Sequence, residues 1–402
     1  MKIAIVGAGI AGIATACELA SDGHAVTVFE RRGAAAEEAS FGHAGLVAPA
    51  CMFGHLGSEA LPERGWEASP SAWAWSRQQR AARQTRAAET DARLALARFS
   101  QERLRLMAGA LELHYQRSDG VLVLMRSAKE RRRLAPLWDA LREAGLAANE
   151  AGPAAIRTLE PGLNADTALA GAMHLPGDEV GNCRQFALLL KSEAERHGVE
   201  FHFGTVVERV DGGATPTLRL QGQPAPWSCD AVVLCAGTGA PALLRPLGLN
   251  VPFATLRSYS VSAPIREPLH APGSAVVDAS SGATIVRLGD RLRVAGAAHF
   301  GAASEAQRKA ALQSLYIALH TWFPGAARLV GGLVQEWHDE RLALPDGRPI
   351  LGASGTPGIW LHLAHGGHGW TNACGAARLV ADAIAGEESA VPLEAFGAHR
   401  FR

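Results

Sequence analysis

The apolar positions of this chain follow two different periods, and each period predicts a different kind of β-strand. Residues 3–6 and 231–235 are short continuous apolar runs, a pattern typical of strands that are buried on both faces of a parallel sheet. Residues 256–263 and 291–297 instead alternate, which is typical of strands with only one face buried. The chain is therefore predicted to be α/β near its ends and largely β between them.

The order of these elements predicts two domains, of which the first is discontinuous. At 402 residues the chain exceeds the length at which a single core usually stops growing. Strand–helix–strand units recur at both ends, so we expect residues 1–48, 150–240 and 338–402 to form one Rossmann-like domain. The inserted segments, 49–149 and 241–337, are expected to form an α+β domain on a mixed, largely antiparallel sheet.

A glycine pattern follows the first predicted strand. Gly7, Gly9 and Gly12 fit the sequence G-x-G-x-x-G, in which glycines permit a tight turn, close approach to a pyrophosphate and close packing of the next helix. That helix, residues 10–21, directs its N-terminus at the phosphates. Glu30 ends the second strand, near the spacing of about 20 residues expected for an acid that binds a ribose 2′-hydroxyl. The pattern predicts NAD or FAD, and the acid disfavours NADP.

A second glycine-rich segment lies at the other end of the chain. Residues 365–371 (HGGHGWT) follow the apolar run 359–363. A nicotinamide-dependent dehydrogenase needs only the first glycine segment, whereas a flavin cofactor that spans a domain contacts both. The helix predicted after residue 371 would direct its positive N-terminal end at the flavin ring and stabilise the anionic reduced form. The two segments together favour FAD over NAD.

Composition excludes several classes of protein. Basic and acidic residues both number 39, so a formal net charge of zero gives no sign of a nucleic-acid-binding surface. The six cysteines form no C-x-x-C pair, so we expect no structural metal site and a reduced, intracellular protein. No apolar run is long enough to span a bilayer, and the first residues form a predicted strand rather than a signal peptide. We therefore expect a cytoplasmic protein.

Five further segments carry recognisable patterns: residues 39–45 (ASFGHAG), 177–183 (GDEVGNC), 256–261 (LRSYSV), 345–352 (PDGRPILG) and 369–375 (GWTNACG). They resemble the flavin-dependent amino acid oxidase superfamily (D-amino acid oxidase-like), with the greatest likeness to bacterial D-amino acid dehydrogenases of the small-subunit type. The resemblance covers nearly the whole chain in order. The chain departs from the family's pattern at three places: His43 stands where the family has an asparagine, Asp-Glu-Arg-Leu at 339–342 stands where it has Gly-Leu-Arg-Pro, and His368 stands where it has a leucine.

The resemblance implies an FAD-binding domain of the glutathione-reductase type and oxidation of a C–N bond. Such an enzyme transfers hydride from the substrate α-carbon to the flavin, and water then hydrolyses the imine. A small D-amino acid is the expected substrate, and a quinone or another non-oxygen acceptor is expected to receive the electrons. Two alternatives stay open: an oxygen-using oxidase of glycine, sarcosine or a cyclic imino acid, and a flavoprotein without turnover.

The resemblance also implies the catalytic residues. Arg341 is expected to bind the substrate carboxylate, because a guanidinium pairs with carboxylates in a bidentate manner; the alternative is an arginine paired with a neighbouring acid. Tyr259 is expected to donate a hydrogen bond to the substrate, or else to be a packed strand residue. His43 and His368 are expected beside the flavin or substrate, where a pKa near neutrality would make turnover pH-dependent, or else to serve only as turn residues.

Contacts to the cofactor are expected along its whole length. Some relatives attach flavin through a cysteine, but residues 341–346 contain none, so we expect FAD to be bound non-covalently. The residues expected to bind it are Gly7, Gly9, Ile10, Ala11, Gly12, Glu30, Arg31, Ser40, Gly45, Leu46, Val207, Ala236, Gly237, Gly366, Gly367, His368, Gly369, Trp370 and Thr371.

Two features have less specific interpretations. Arg77, Arg80, Arg83 and Arg86 recur at every third position of a predicted helix. They indicate either a solvated face or peripheral attraction to the anionic inner membrane. Residues 51–75 are irregular and rich in aromatic side chains, which predicts either a lid over the site or an ordinary packed loop.

Overall fold

The architecture is that of a computed structural model of the chain. Two predicted features lie outside the residues that it describes, namely the arginines at positions 80 and 83 and the central part of the predicted lid. The described residues are 1–53, 73–79, 86–301 and 304–401.

The continuous apolar runs form a six-stranded sheet. Its neighbouring strands are parallel except for one antiparallel pair at an edge. Val6 pairs with both Leu234 and Phe29, so the chain leaves the middle of the sheet exactly where the glycine turn begins. From edge to edge the strands are β17 (Ile350–Ala353), β18 (Ile359–Leu363), β11 (Ala231–Leu234), β1 (Lys2–Val6), β2 (Ala25–Phe29) and β7 (Glu200–His202).

Four helices pack together beside this sheet. Helix α1 (Ile10–Ser21) lies against α6 (Cys183–Arg196) and α9 (Gly369–Ala385), and α9 also contacts α3 (Arg86–Ala110). The buried carboxylate of Glu18 on α1 links them, because it accepts hydrogen bonds from Arg103 on α3 and Arg378 on α9. A buried acid shared by two arginines holds α1, and therefore the turn before it, in one position.

The alternating segments form a second, mixed sheet of nine strands, which confirms the predicted α/β class with a largely antiparallel second sheet. Helix α8 (Glu305–Trp322) packs against it and begins with a capping box between Ser304 and Gln307. In order, the strands are β16 (Gln335–Ala343), β12 (Ala254–Pro264), β15 (Arg291–Phe300), β14 (Thr284–Leu288), β13 (Ala275–Asp278), β4 (Ser118–Met125), β6 (Gly171–Val180) and β3 (Leu46–Val47), with β5 (Asn149–Ala151) paired to β6.

The second sheet takes strands from segments that were predicted to belong to the first domain. Both β3 and β6 pair within it, although residues 1–48 and 150–240 were assigned to the first domain. Apolar periodicity identifies a strand without identifying its partner, so the domain limits stay a prediction. The remaining elements are β8 (Val207–Asp211), β9 (Thr217–Leu220), β10 (Trp227–Ser228), α2 (Pro49–Phe53), α4 (Ala128–Glu143), α5 (Pro153–Leu159) and α7 (Ala240–Leu244).

Three further observations concern the described residues. None of their helices combines the length and apolar character needed to cross a membrane. They contain no group of three or more histidine, cysteine or acidic side chains placed to hold a metal ion. All six cysteines are buried and none forms a disulfide.

Candidate active site

The glycine turn after β1 leaves no room for a side chain at position 7, and the helix that follows leaves none at position 12. Gly7 has a φ of +110°, which L side chains rarely adopt, and a Cβ there would lie 2.4 Å from the carbonyl oxygen of Cys235. A Cβ on Gly12 would lie 1.9 Å from the carbonyl oxygen of Gly7. The turn and helix α1 are therefore in direct backbone contact, as expected for the first and third glycines of the pattern.

The carboxylate of Glu30 is held beside this turn by backbone groups. Its Oε2 accepts the N–H of Ala8 at 2.7 Å, and its Oε1 accepts the N–H of Arg32 at 2.8 Å. Arg31 pairs instead with Glu38 at 2.7 Å and donates to the Thr238 hydroxyl at 3.1 Å. A carboxylate has about four lone-pair sites, so Glu30 keeps acceptor capacity for a ligand hydroxyl.

A cavity of about 620 Å³ begins at the glycine turn and extends to His43 and Arg341; we call it the cofactor cavity. The N-terminus of α1 opens into it beside Ser40, whose hydroxyl accepts the N–H of Ile10 at 3.1 Å. Its volume lies within the range of roughly 300–1,000 Å³ that is typical of ligand sites. The predicted cofactor residues that line it are Gly7, Gly9, Ile10, Ala11, Glu30, Arg31, Ser40, Val207, Ala236, Gly237, Gly366, Gly369 and Trp370.

A second cavity of about 40 Å³, which we call the small cavity, shares His43 and Arg341 with the cofactor cavity. Most of its other side chains are small or apolar, such as Ala48, Leu256 and Ala295. Four of the predicted cofactor residues line the small cavity and not the cofactor cavity: Leu46, Gly367, His368 and Thr371.

Two predicted cofactor contacts line neither of these cavities. Gly12 packs against the carbonyl of Gly7, as described above. Gly45 has a φ of +91°, and a Cβ there would lie 2.6 Å from the carbonyl oxygen of Gly181. Both glycines are required by close backbone packing within the protein, so we correct their predicted role as direct cofactor contacts.

Arg341 lies on β16, where the two cavities meet. Its guanidinium pairs with the buried carboxylate of Asp339 at 2.6 Å, and it also donates a hydrogen bond to the Ser258 hydroxyl. The sequence left open whether Arg341 faces a ligand or pairs with a neighbouring acid. In this structure the same side chain does both: it is ion-paired, and it lines the two cavities.

The imidazole of His43 is held in one orientation between the cavities. Its Nδ1 accepts the N–H of Gly45 at 3.0 Å, while Nε2 is buried without a hydrogen-bond partner in the described part of the chain. Burial, with the nearby charges of Arg341 and Arg293, lowers the pKa of His43 to about 3. The expectation that His43 titrates near neutrality is therefore wrong, because a buried imidazole beside two cations disfavours a further positive charge.

Two histidines, which the sequence analysis did not assign individually, also line the cofactor cavity: His362 is buried, and His365 is half-buried with both ring nitrogens covered. The Nδ1 of His362 forms a 2.8 Å hydrogen bond with the Thr15 hydroxyl on α1. Burial lowers the pKa of His365 to about 4, and neither of its ring nitrogens has a partner among the described residues. The only sequence signal for a role of His362 is that this histidine interrupts the otherwise apolar run 359–363.

Tyr259 does not lie in the site. It lines neither cavity and belongs to the hydrophobic cluster between the second sheet and α8, where its ring stacks on His299 at 5.5 Å. Its neighbour Ser258 faces the site instead. The register of β12 against β15 shifts between Arg257 and Tyr259, so Ser258 lies at a β-bulge. The surroundings of the two side chains distinguish them: Ser258 lines the small cavity and Tyr259 packs in the hydrophobic cluster, so we correct the predicted substrate contact of Tyr259.

The arrangement fits a flavin adenine dinucleotide. The cofactor cavity offers a turn whose backbone is bare at Gly7, an acid with free acceptor sites at Glu30, and a helix N-terminus at Ile10. At its far end, the unpartnered ring nitrogens of His365 are buried polar atoms that a ligand would satisfy.

Comparison with known proteins gives the same assignment. Residues 2–383 match the family described as FAD dependent oxidoreductase. The chain is 34% identical to a D-amino acid dehydrogenase of Cereibacter sphaeroides, over 100% of this chain and 95% of that relative. It is 31% identical to a D-amino acid dehydrogenase of Rhizorhabdus wittichii, over 97% of this chain and 98% of that relative.

Solved structures share the fold at lower identity. The glycine oxidase from Geobacillus kaustophilus superimposes with a TM-score of 0.75 at 24% identity, covering 98% of this chain and 97% of that one. The L-proline dehydrogenase from P. horikoshii gives a TM-score of 0.74 at 17% identity, covering 100% and 97%. The bare glycine turn, the placed acid and the full-length matches lead to one conclusion: the chain belongs to the FAD-dependent oxidoreductase family, and FAD is its cofactor.

Proposed function

We propose that this protein oxidises the C–N bond of a small amino acid, most simply a D-amino acid, and passes the electrons to a quinone or another non-oxygen acceptor. The observation that carries the proposal is the position of Arg341, a cation at the border between the cofactor cavity and the small cavity. A carboxylate held there would present the rest of a small substrate to both cavities. The names of the relatives support the D-amino acid class.

FAD supplies an acceptor for the hydride that leaves the substrate α-carbon. The groups that would hold it are the glycine turn, Glu30 and the N-terminus of α9 at Gly369 and Trp370. We propose that it is bound non-covalently. Cys235 is a cysteine that lines the cofactor cavity, and burial raises the pKa of its thiol to about 12, so it is not a nucleophile at neutral pH.

His43 would donate a hydrogen bond to a ligand in either cavity. With a pKa of about 3 the ring is neutral, so it carries one N–H. Gly45 N–H occupies Nδ1 as an acceptor, which leaves the proton on Nε2. The carbonyl of Gly367 raises the pKa of His43 slightly but completes no hydrogen bond to Nε2. The buried Nε2–H therefore remains for a bound molecule.

The small cavity supports a small side chain on the substrate. Its volume is about 40 Å³, and its lining of alanine, leucine and glycine offers little beyond apolar contact. The exceptions are six polar side chains: His43, Ser258, Thr284, Arg341, His368 and Thr371. Polar groups of this kind orient a ligand, while the apolar lining limits its size.

An oxygen-using oxidase of glycine, sarcosine or a cyclic imino acid is the second candidate. The observation that favours it is His368, since the Gly-His-Gly sequence at 367–369 resembles sarcosine-type relatives. Peroxide formation during turnover in air, measured against reduction of a quinone analogue, separates the two candidates.

We further propose that the protein is cytoplasmic and touches the inner membrane surface, where a quinone is available. The short helix 73–79 supports this, because Trp73 is exposed and the Arg77 guanidinium lies 5.4 Å from the centre of its ring. Aromatic and basic side chains together favour anionic bilayer surfaces. Co-sedimentation with anionic vesicles, lost in a Trp73→Ala variant and absent with neutral vesicles, is the expected result.

Anaerobic mixing of the holoenzyme with D-, L- and N-substituted amino acids tests the main proposal. We expect small D-amino acids to bleach the flavin absorbance and their L-enantiomers to leave it unchanged. If N-substituted or cyclic substrates bleach it instead, the second candidate is correct. If none does so, the protein is a flavoprotein without amino acid turnover.

A further inference from the structure

The guanidinium of Arg341 already has a carboxylate partner inside the protein. Asp339 precedes it by two residues on β16, and its side chain is 2% exposed. Asp339 Oδ2 accepts from Arg341 Nη2 at 2.6 Å, and Oδ1 accepts from Nε at 3.2 Å. One of the edges through which a guanidinium binds a carboxylate is therefore occupied before a substrate arrives.

Ser258 on β12 extends this arrangement. Its hydroxyl donates to Asp339 Oδ1 at 2.6 Å and accepts from Arg341 Nη2. Nη2 is thus bound by both residues, whereas Nη1 has no hydrogen bond to any residue that the structure describes. The Nη1 end of Arg341 is the part left for a ligand.

We propose that Asp339 is a specificity-determining residue that competes with the carboxylate of a ligand for Arg341. The inference rests on the proposed function in one respect, namely that Arg341 is the carboxylate partner of the substrate. Because Asp339 balances the charge of Arg341, a carboxylate gains little over a neutral group of the same shape. The site therefore discriminates weakly between a carboxylate and an amide.

Electrostatics give the direction of the effect. A largely buried arginine without its acid has lost hydration that nothing replaces, and an incoming carboxylate would supply the missing partner. Removing the charge of Asp339 should therefore strengthen the binding of anions selectively.

The test is a titration of the FAD-loaded enzyme with propionate and with propionamide, followed by the change in the flavin spectrum. Neither probe carries an amine, so neither is consumed. We expect Asp339→Asn to tighten propionate binding by about ten-fold or more, because part of the large cost of an unpaired buried arginine is recovered. Propionamide affinity should stay unchanged, and the gain should vanish when Arg341→Met is added.

Glu340→Gln is the matched control. It removes the same charge one residue away. Glu340 lines the cofactor cavity but not the small cavity, it pairs with Arg257 rather than with Arg341, and its side chain is 39% exposed. We expect its propionate affinity to stay within about two-fold of the parent, since exposed ion pairs contribute little.

Unchanged or weaker propionate binding in a folded, FAD-loaded Asp339→Asn protein would overturn the proposal. If that variant does not fold, Ser258→Ala serves instead, because it loosens Asp339 while retaining the ion pair; a tightening of about three-fold supports the proposal and none overturns it. The probes do not require turnover. A selective gain for propionate would therefore support the role of Asp339 even if no amino acid bleaches the flavin, and the proposed function alone would then fail.

Discussion

The two ends of the cofactor cavity are built in different ways. At one end, Gly7 and Glu30 line the cavity and Gly12 packs behind Gly7; all three come from a single stretch of chain, and backbone atoms make most of the contacts. At the other end, His43, Arg341 and His365 come from three distant segments, and their side chains line the cavity. We call these the Gly7 end and the His43 end.

The two ends should differ in which substitutions they tolerate. The Gly7 end depends on steric exclusion, where a single added carbon meets a carbonyl oxygen at 1.9 Å. The His43 end depends on charge balance and burial, which neighbouring residues adjust by degrees. A mutation at the Gly7 end should therefore either leave nucleotide binding intact or abolish it. A mutation at the His43 end should change substrate affinity by a moderate factor. Four variants test this comparison.

The largest effect is expected from Gly12→Ala at the Gly7 end. Alanine favours helices, so any loss must come from the clash with the Gly7 carbonyl, which forces the turn to move. We expect FAD affinity to fall by about 100-fold or more, consistent with overpacking that costs roughly 3 kcal/mol. FAD binding measured by fluorescence would show it. Gly33→Ala, where a Cβ meets nothing within 4 Å, should bind FAD normally.

Arg341→Met should have the largest effect at the His43 end. Loss of the charged donor should lower kcat/KM for the preferred amino acid by about 100-fold, mostly through KM, as for removal of a charged hydrogen bond worth roughly 2–3 kcal/mol. Steady-state kinetics on the FAD-loaded variant provide the measurement. Arg257→Met, which removes the partner of Glu340, is the control. Equal losses in both variants would contradict a site role for Arg341.

His43→Asn should change the pH dependence of stability. The folded-state pKa of His43 is about 3, below its ordinary value of 6.5, so between these values the unfolded chain binds a proton that the native protein does not. This difference in proton binding has no effect on the free energy of unfolding above pH 6.5, and it lowers that free energy increasingly as the pH falls. With saturating FAD, the free energy of unfolding should fall with acidification by about 1.4 kcal/mol per pH unit more in the parent than in the variant. Parallel urea midpoints from pH 6.5 to 4.5 would contradict this.

The smallest effect is expected from Tyr259→Phe. The ring packs beneath α8 and lines neither cavity, so kcat/KM should stay within about two-fold of the parent and stability should change by roughly 1 kcal/mol or less. Ser258→Ala, one residue away and lining the small cavity, should change ligand affinity instead. A large kinetic defect in Tyr259→Phe would mean that the face of β12 is misassigned.

The Gly7 end could be read from the sequence almost completely. Tight turns and close backbone contacts require glycine at fixed spacings, so the demand appears directly in the residue types at 7, 9 and 12. For the His43 end, the sequence predicted which residues take part but not their ion pairs, their burial or their pKa values. The type of residue at 341 indicated a cation, while its partner Asp339 and its position between two cavities depend on folding.

The errors have the same origin. Tyr259 lies in a segment, 256–261, that resembles one in the family, yet which way a strand residue faces depends on register and on bulges such as the one against β15. His43 was assigned an ordinary pKa because a sequence does not show burial or the approach of Arg293. The pairing of His362 with Thr15 joins positions 347 residues apart, which no local pattern indicates.

By itself, the sequence determined the strand periods, the glycine turn and the acid that follows β2, because steric and hydrogen-bonding requirements of short stretches of backbone restrict residue type locally. The family was indicated by the resemblance of whole segments. The tertiary structure alone decided which face of β12 meets the site, which carboxylate balances Arg341 and how far the pKa of His43 falls. Those properties depend on distance and on exclusion of water, and both arise only when remote segments pack together.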